Sequence, residues 1–427
     1  MIQNKYLRIP SILIVFSSFF YSNVSAFYSV TLWLTPPLVL GESIIWLVLA
    51  ALSIWALKKQ HTLVQFLENL KRNWIILPFL IFSGLSIFWS VYWQISLYRW
   101  VTLFCTIITG GYIGLHYDIK NIIKLLSIFG ILILLVSSIY VLFIPTIGVM
   151  NYYNIHGAWK GIYWHKNHMG LIATFINILF VIKLIYSLKS NWKQVLFWSI
   201  LYIYSLFFVY QSDSATAYIT TVILHGVILL ALVWIKFRSK IRRSHYLIAL
   251  VFLILALVII LINANQLLGI FNRNTTLTGR IPMWTHLFST YLSQRPILGY
   301  GFNAFWYLGS HRIAMQQMAG YPDQIVISDN GFIDILINTG FCGLVLFLVF
   351  YLGLWWRSIK YAIKAKDVIG IFPIVLMSFT LLANVSWSLI FENENFFMLI
   401  MISVLFCISI RNPKTSQKKE MESTNFA

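Results

Sequence analysis

The sequence predicts an all-α, polytopic membrane protein, and three observations carry that prediction. Of its 427 residues, 59% are hydrophobic and only 10% are charged, where soluble domains carry about 25% charged residues. Apolar runs long enough to cross a hydrocarbon core of about 30 Å recur along the whole chain. In runs such as 122–144 and 247–262 the apolar residues do not alternate with polar ones, which excludes barrel strands and leaves helices.

Twelve spans follow, at 9–27, 38–57, 74–90, 97–116, 122–145, 168–187, 194–210, 217–235, 246–263, 331–355, 369–389 and 394–410. Helices one to nine fill 1–263, a large hydrophilic loop covers 264–330, helices ten to twelve fill 331–410, and 411–427 form a tail. The first run, with Lys5 and Arg8 before it and Val24-Ser25-Ala26 behind it, reads as a membrane helix or as a signal peptide.

Orientation comes from the positive charges. Alternating the loops gathers Lys58, Lys59, Lys71 and Arg72, the run from Lys236 to Arg243, and Arg357, Lys360, Lys364 and Lys366 on one side, which marks it as cytoplasmic. Both termini are expected there, in a plasma (inner) membrane. The formal charge of +19 is then a matter of topology. Nucleic-acid binding would need the basic residues on one soluble face. Cys105, Cys342 and Cys407 stand apart in apolar runs, so neither a disulfide nor a metal site is expected, and no cofactor.

The acids Asp213, Asp323, Asp329, Glu392 and Glu394 fall on the outer side, with Asp334 just inside its span. Charges at a membrane boundary need partners or water, which makes them functional candidates. The loop 264–330 is too long to be a plain connection. Within it, after Thr278 as N-cap and Pro282, residues Trp284, Leu287, Phe288, Tyr291 and Leu292 recur at spacings of three and four. This predicts an amphipathic helix on the bilayer surface, ended by Arg295-Pro296, with Leu298-Gly299-Tyr300-Gly301-Phe302 as a glycine-loosened turn.

Four outer patches could carry chemistry. The segment 161–170 sets His165, Lys166 and His168 at the start of a helix, where an anion such as phosphate would bind, or where Lys and His would snorkel. Ser212-Asp213-Ser214 reads as a helix cap. Arg280 and Arg295 are planar two-point donors suited to diphosphate or to lipid headgroups. Asp329, where the loop returns to the membrane beside Gly331, could take a proton or cap the tenth helix.

These residues resemble the O-antigen ligase and exopolysaccharide polymerase superfamily of bacterial membrane glycosyltransferases. The resemblance covers about 160–345 and rests on Trp164-His165-Lys166-Asn167-His168-Met169-Gly170, Leu277-Thr278-Gly279-Arg280 with Trp284, the segment from Arg295 to Phe302, and Asn330-Gly331-Phe332 followed by Gly340-Phe341-Cys342-Gly343. It implies transfer of a glycan from a polyprenyl (undecaprenyl) diphosphate carrier to a glycan acceptor, without metal. Membrane lipids and export or chain-length proteins would be partners, and the product would be surface polysaccharide. On this chain Arg280 matches the loop arginine and Asp329 the position of the base, where many relatives carry His. Arg295, Arg99, Lys166, His165, His168 and Arg273 are then expected to bind substrate, Arg99 as an unpaired cation near the outer end of its span.

The chief rival is a twelve-helix transporter or flippase of lipid-linked sugars, for which broken helices and repeated halves would be expected. Neither is evident in the sequence. An assembly subunit without catalysis is a third reading. Aromatic residues on the outer side, Trp159, Trp164, Trp284 and Trp306, suit sugar stacking or an interfacial belt.

Overall fold

A computed structural model of the chain describes residues 36–152, 155–237, 280–319, 327–365, 367–390 and 396–410. The expected spans 9–27 and 246–263, residues 264–279 with Arg273 among them, and the tail 411–427 lie outside the described residues.

The ten expected spans inside the described residues each meet a helix. They are α1 (Pro36–Lys59), the bent segment around α3 (Leu77–Leu85), α4 (Trp93–His116), α5 (Ile119–Phe143), α6 (Lys166–Ser187), α7 (Trp192–Gln211), α8 (Ala215–Phe237), α11 (Gly331–Lys364), α12 (Phe372–Ser386) and α13 (Phe396–Ile410). Seven described helical segments are long and apolar enough to cross a membrane. The protein is therefore an all-α polytopic membrane protein.

Three elements were not expected. The short amphipathic helix α2 (Leu63–Arg72) precedes α3, and the two segments meet at 67°. A small antiparallel pair, β1 (Val149–Tyr152) and β2 (Ile155–Trp159), leads into α6. The long loop adds α10 (Gly309–Ala319) after the expected amphipathic helix, which forms as α9 (Arg280–His286) continued by a π-helical turn at Leu287–Leu292.

Which faces meet lipid follows from burial. Leu196, Ile200 and Ile203 of α7 and Val222, Leu229 and Leu230 of α8 are exposed apolar side chains, at home in hydrocarbon. The centre of the bundle is α13, where every residue from Phe396 to Cys407 is buried. Its neighbour α4 approaches closely because Gly110 and Gly114 present no side chain: a Cβ on Gly114 would lie 2.2 Å from the Ser403 carbonyl oxygen. Polar pairs join α6 to its neighbours, Asn177 Nδ2 donating to Ser205 Oγ at 2.9 Å and the Thr174 and Thr221 hydroxyls hydrogen-bonded at 2.9 Å.

The loop is packed onto the bundle. Met283 of α9 and Leu287 of the π-helical turn are buried with Tyr300, Phe305, Trp306, Met315 and Ile337. The apolar stripe thus packs on protein, a correction to a helix simply lying on the bilayer.

The glycine-rich segment after Arg295 is a docking element. The expected tenth span is broken at Gly340, whose φ of 64° and ψ of −172° leave the helix. Into that break the loop inserts backbone: the amides of Tyr300 and Gly301 donate to Ile337 O and Asn338 O at 3.1 and 2.8 Å, and those of Phe341 and Cys342 donate to Pro296 O and Ile297 O at 2.8 and 3.2 Å. The broken helix absent from the sequence reading is therefore present, but the freed groups are satisfied by the protein's own loop. Cβ atoms at Gly340 and Gly299 would lie 2.2 Å from Ile297 O and 2.5 Å from Gly340 N, so neither position accepts a side chain. Gly340→Ala should loosen the loop, costing more than about 1 kcal/mol; limited proteolysis of the purified protein would show faster cutting in 264–330 than in wild type.

Candidate functional site

Among the described residues three ion pairs lie at helix ends on one face of the bundle, opposite the lysine-rich connections. They are Arg99–Glu42 at 2.6 Å, Lys166–Asp213 at 2.5 Å and Arg280–Asp329 at 3.0 Å. Each joins segments distant in sequence.

Arg280 opens α9, and Asp329 stands two residues before α11. Both side chains are largely buried, with 16% and 17% of their surfaces exposed. Asn330, not Asp329, caps α11: its side-chain oxygen accepts from the Phe332 and Ile333 amides at 3.0 and 3.2 Å. The Asp329 carboxylate is thereby left for Arg280, whose Nε donates to Oδ2. Asp329 has a φ of 56°, a left-handed conformation that costs most residues energy and that aspartate tolerates. Burial raises its pKa above the ordinary 3.8, and the Arg280 guanidinium opposes that rise without cancelling it.

The surrounding corner holds this turn in place. Trp284 Nε1 donates to Ser328 O at 2.8 Å, and Asn330 Nδ2 to Val385 O at 3.1 Å. Asp334, buried one turn inside α11, accepts from the Ser328 amide at 3.1 Å, from Trp306 Nε1 at 2.8 Å and from Ser388 Oγ. Sequence reading noted Asp334 as an acid but gave it no role. Its signal was a carboxylate inside an apolar span, which demands donors. Of the tryptophans offered for sugar stacking, Trp306 and Trp284 are engaged as these braces, while Trp159 packs on Phe207 and Phe208.

The His165–Lys166–His168 cluster lies beside the same corner. His165 caps α6, with Nδ1 accepting from the Asn167 amide at 3.1 Å, and stacks on Trp387 at 5.4 Å. Burial, Lys166 and Arg280 all disfavour its charged form. Lys166 is buried and donates to the Asp213 carboxylate and, at 2.8 Å, to its carbonyl oxygen. Asp213 therefore answers a lysine, and the expected helix cap falls to Ser214, whose Oγ accepts from the Ala217 amide at 3.4 Å; the Asp213 φ of 44° is also left-handed. His168 is buried against Tyr163, 4.5 Å between rings.

Two arginines have other work. The Arg99 guanidinium is buried and engaged by Glu42 and by Tyr307 Oη, at 2.8 Å, so it clamps the loop to α1 and α4. The cation that looks unpaired in the sequence thus has its partner in Glu42. Arg295 is exposed, donating to Trp89 O at 3.3 Å with its guanidinium 5.0 Å from the Tyr300 ring, and so secures the docked segment. Among the described residues no group of three or more His, Cys, Asp or Glu side chains gathers as a metal site.

Comparison with known proteins agrees with the motifs. Residues 200–348 match the family model described as O-Antigen ligase. That match includes Arg280, Arg295 and Asp329. The chain is also similar to "Exopolysaccharide production protein ExoQ" of Rhizobium meliloti (strain 1021), 24% identical over 295 residues, which are 67% of this chain and 65% of that protein. The alignment therefore spans a little under two thirds of the relative's own length. Over these residues the chain is similar to the O-antigen ligase family and to an exopolysaccharide production protein.

A buried ion pair broken on one side leaves an uncompensated charge. Glu42→Ala is expected to cost about 3–5 kcal/mol, and replacing Glu42 and Arg99 together by Met to cost clearly less. Thermal unfolding of both variants in detergent measures the difference.

Proposed function

We propose that the protein is a membrane glycosyltransferase of surface polysaccharide biosynthesis. It would polymerise or transfer a glycan carried on a polyprenyl diphosphate to a glycan acceptor. The observation that carries this reading is the largely buried Arg280–Asp329 pair where the loop returns to the membrane, with Lys166 and His165 beside it. The match to the O-antigen ligase family and the similarity to an exopolysaccharide production protein support the product class.

The chemistry runs as a single displacement. Asp329 Oδ2 is held by Arg280, and Oδ1 takes the proton of the acceptor hydroxyl. The hydroxyl oxygen bonds to the anomeric carbon as the bond from that carbon to the phosphate oxygen breaks, with inversion. The departing electron pair rests on the diphosphate. Among the described residues Nε is the Arg280 atom engaged, so its two terminal nitrogens are available to grip that anion in two-point fashion. Lys166 adds positive charge nearby. No protein-bound metal takes part in these steps.

The positive-inside bias supports placing the site outside the cytoplasm of an inner membrane, with both termini cytoplasmic. Chain-length or export proteins would be natural partners there. A carrier flippase is the less favoured reading, since the break at Gly340 is filled by loop backbone.

The test is transfer by purified protein in detergent, without a gradient, read as a new glycosidic bond and released polyprenyl diphosphate. Wild type should turn over. Asp329→Asn and Arg280→Ala should each lower kcat by about a hundredfold or more. Activity should fall on the acid side as Asp329 takes up a proton, with an apparent pKa above 3.8. A flippase would make no new bond.

A further inference from the structure

His165 was expected to bind substrate as part of a cationic cluster, but its hydrogen bonding gives it a narrower chemistry. Its Nδ1 accepts the Asn167 amide proton at 3.1 Å at the N-terminus of α6. A nitrogen that accepts needs a lone pair, so the single proton of the neutral ring stays on Nε2. Stacking on Trp387, at 5.4 Å and 28°, with Trp164 packed on both rings, fixes the plane of the imidazole. Among the described residues the bond to Asn167 is the ring's one hydrogen bond, which leaves Nε2–H uncommitted.

The charged and titratable neighbours act in one direction. Burial comes first, then Lys166, Arg280, His168 and Lys160, and together they push the His165 pKa down to about 3. Lys166 and Arg280 are themselves answered by Asp213 and Asp329. The ring therefore stays neutral across the working pH range. A neutral imidazole with its lone pair occupied is a poor base and a good donor, a use of histidine favoured where a helix N-terminus disfavours the imidazolium.

We infer that His165 is a further catalytic residue of the proposed transfer: a neutral donor whose Nε2–H bonds to the phosphate oxygen as it leaves the anomeric carbon. The inference rests on the transferase reading. In the step, the acceptor proton goes to Asp329 and the electron pair goes to the phosphate oxygen, while His165 keeps its proton throughout. Its hydrogen bond strengthens as charge develops on that oxygen, so it lowers the barrier more than it tightens binding.

The test uses the full-length purified protein with a polyprenyl-diphosphate glycan as probe. Measured are kcat and KM between about pH 5 and 9 for wild type, His165→Gln, His165→Glu and His165→Ala. Glutamine offers an amide N–H in place of Nε2–H and no base. It should keep kcat within about fivefold of wild type, with the same pH profile, whereas Ala and Glu should each lose about a hundredfold in kcat with little change in KM. The inference is overturned if Gln is as inactive as Ala although properly folded, if Ala keeps wild-type kcat, or if wild type shows a limb at about pH 6–7 that Gln lacks. Should Ala fail to fold, the Gln and Glu variants decide on the same readout. Failure of the underlying reading is separately visible, because wild type would then form no glycosidic bond.

Discussion

A charge brought to the edge of a hydrocarbon core must find an opposite charge or water, and much of this protein's distal face is organised by that requirement. Glu42 on α1 answers Arg99 on α4, Asp213 between α7 and α8 answers Lys166 on α6, and Asp329 ahead of α11 answers Arg280 on α9. The three pairs differ in accessibility, and accessibility separates their roles. Arg99 is sealed beneath Tyr307 and works as a clamp, whereas Asp213 keeps 70% of its side-chain surface open and the Arg280–Asp329 pair keeps a small exposed margin. Only partly open pairs can exchange a partner for a substrate anion.

The clamp and the break in α11 explain how a long loop can hold a site rigidly. Backbone from Pro296 to Gly301 completes the hydrogen bonding of a helix interrupted at Gly340, and Tyr307 ties the next turn of the loop to Arg99. Asp334 then gathers Trp306, Ser328 and Ser388 around one carboxylate. Asp329 thus sits on a turn braced from α9, α11 and the end of α12, the fixed placement that the proposed role as base requires.

Helices and their approximate ends were legible because an apolar run of about twenty residues has few alternatives in lipid. Arg280 and Asp329 stood out as candidates because an arginine and an acid at a membrane boundary need a partner or water. Their pairing was not: the two are 49 positions apart, and only the folded loop brings them together. Glu42 escaped notice because it lies inside a run that reads as plain span, so Arg99 looked unpaired. The break at Gly340 was hidden for a related cause. A glycine in an apolar run reads as a small packing residue, and only the carbonyls of Pro296 and Ile297 opposite it reveal an interruption. Spacing likewise suggested an N-cap at Asp329, although Asn330 next to it performs that task equally well.

The central claim is that Arg280 and Asp329 act as one unit on the leaving diphosphate and the incoming hydroxyl. A double-mutant cycle on the transfer rate, with Arg280→Ala, Asp329→Asn and the combined variant at one pH, tests it most directly. The account predicts strong non-additivity, each single change damaging the rate nearly as much as both together. Strictly additive losses, or a combined variant that transfers glycan at the wild-type rate, would contradict it.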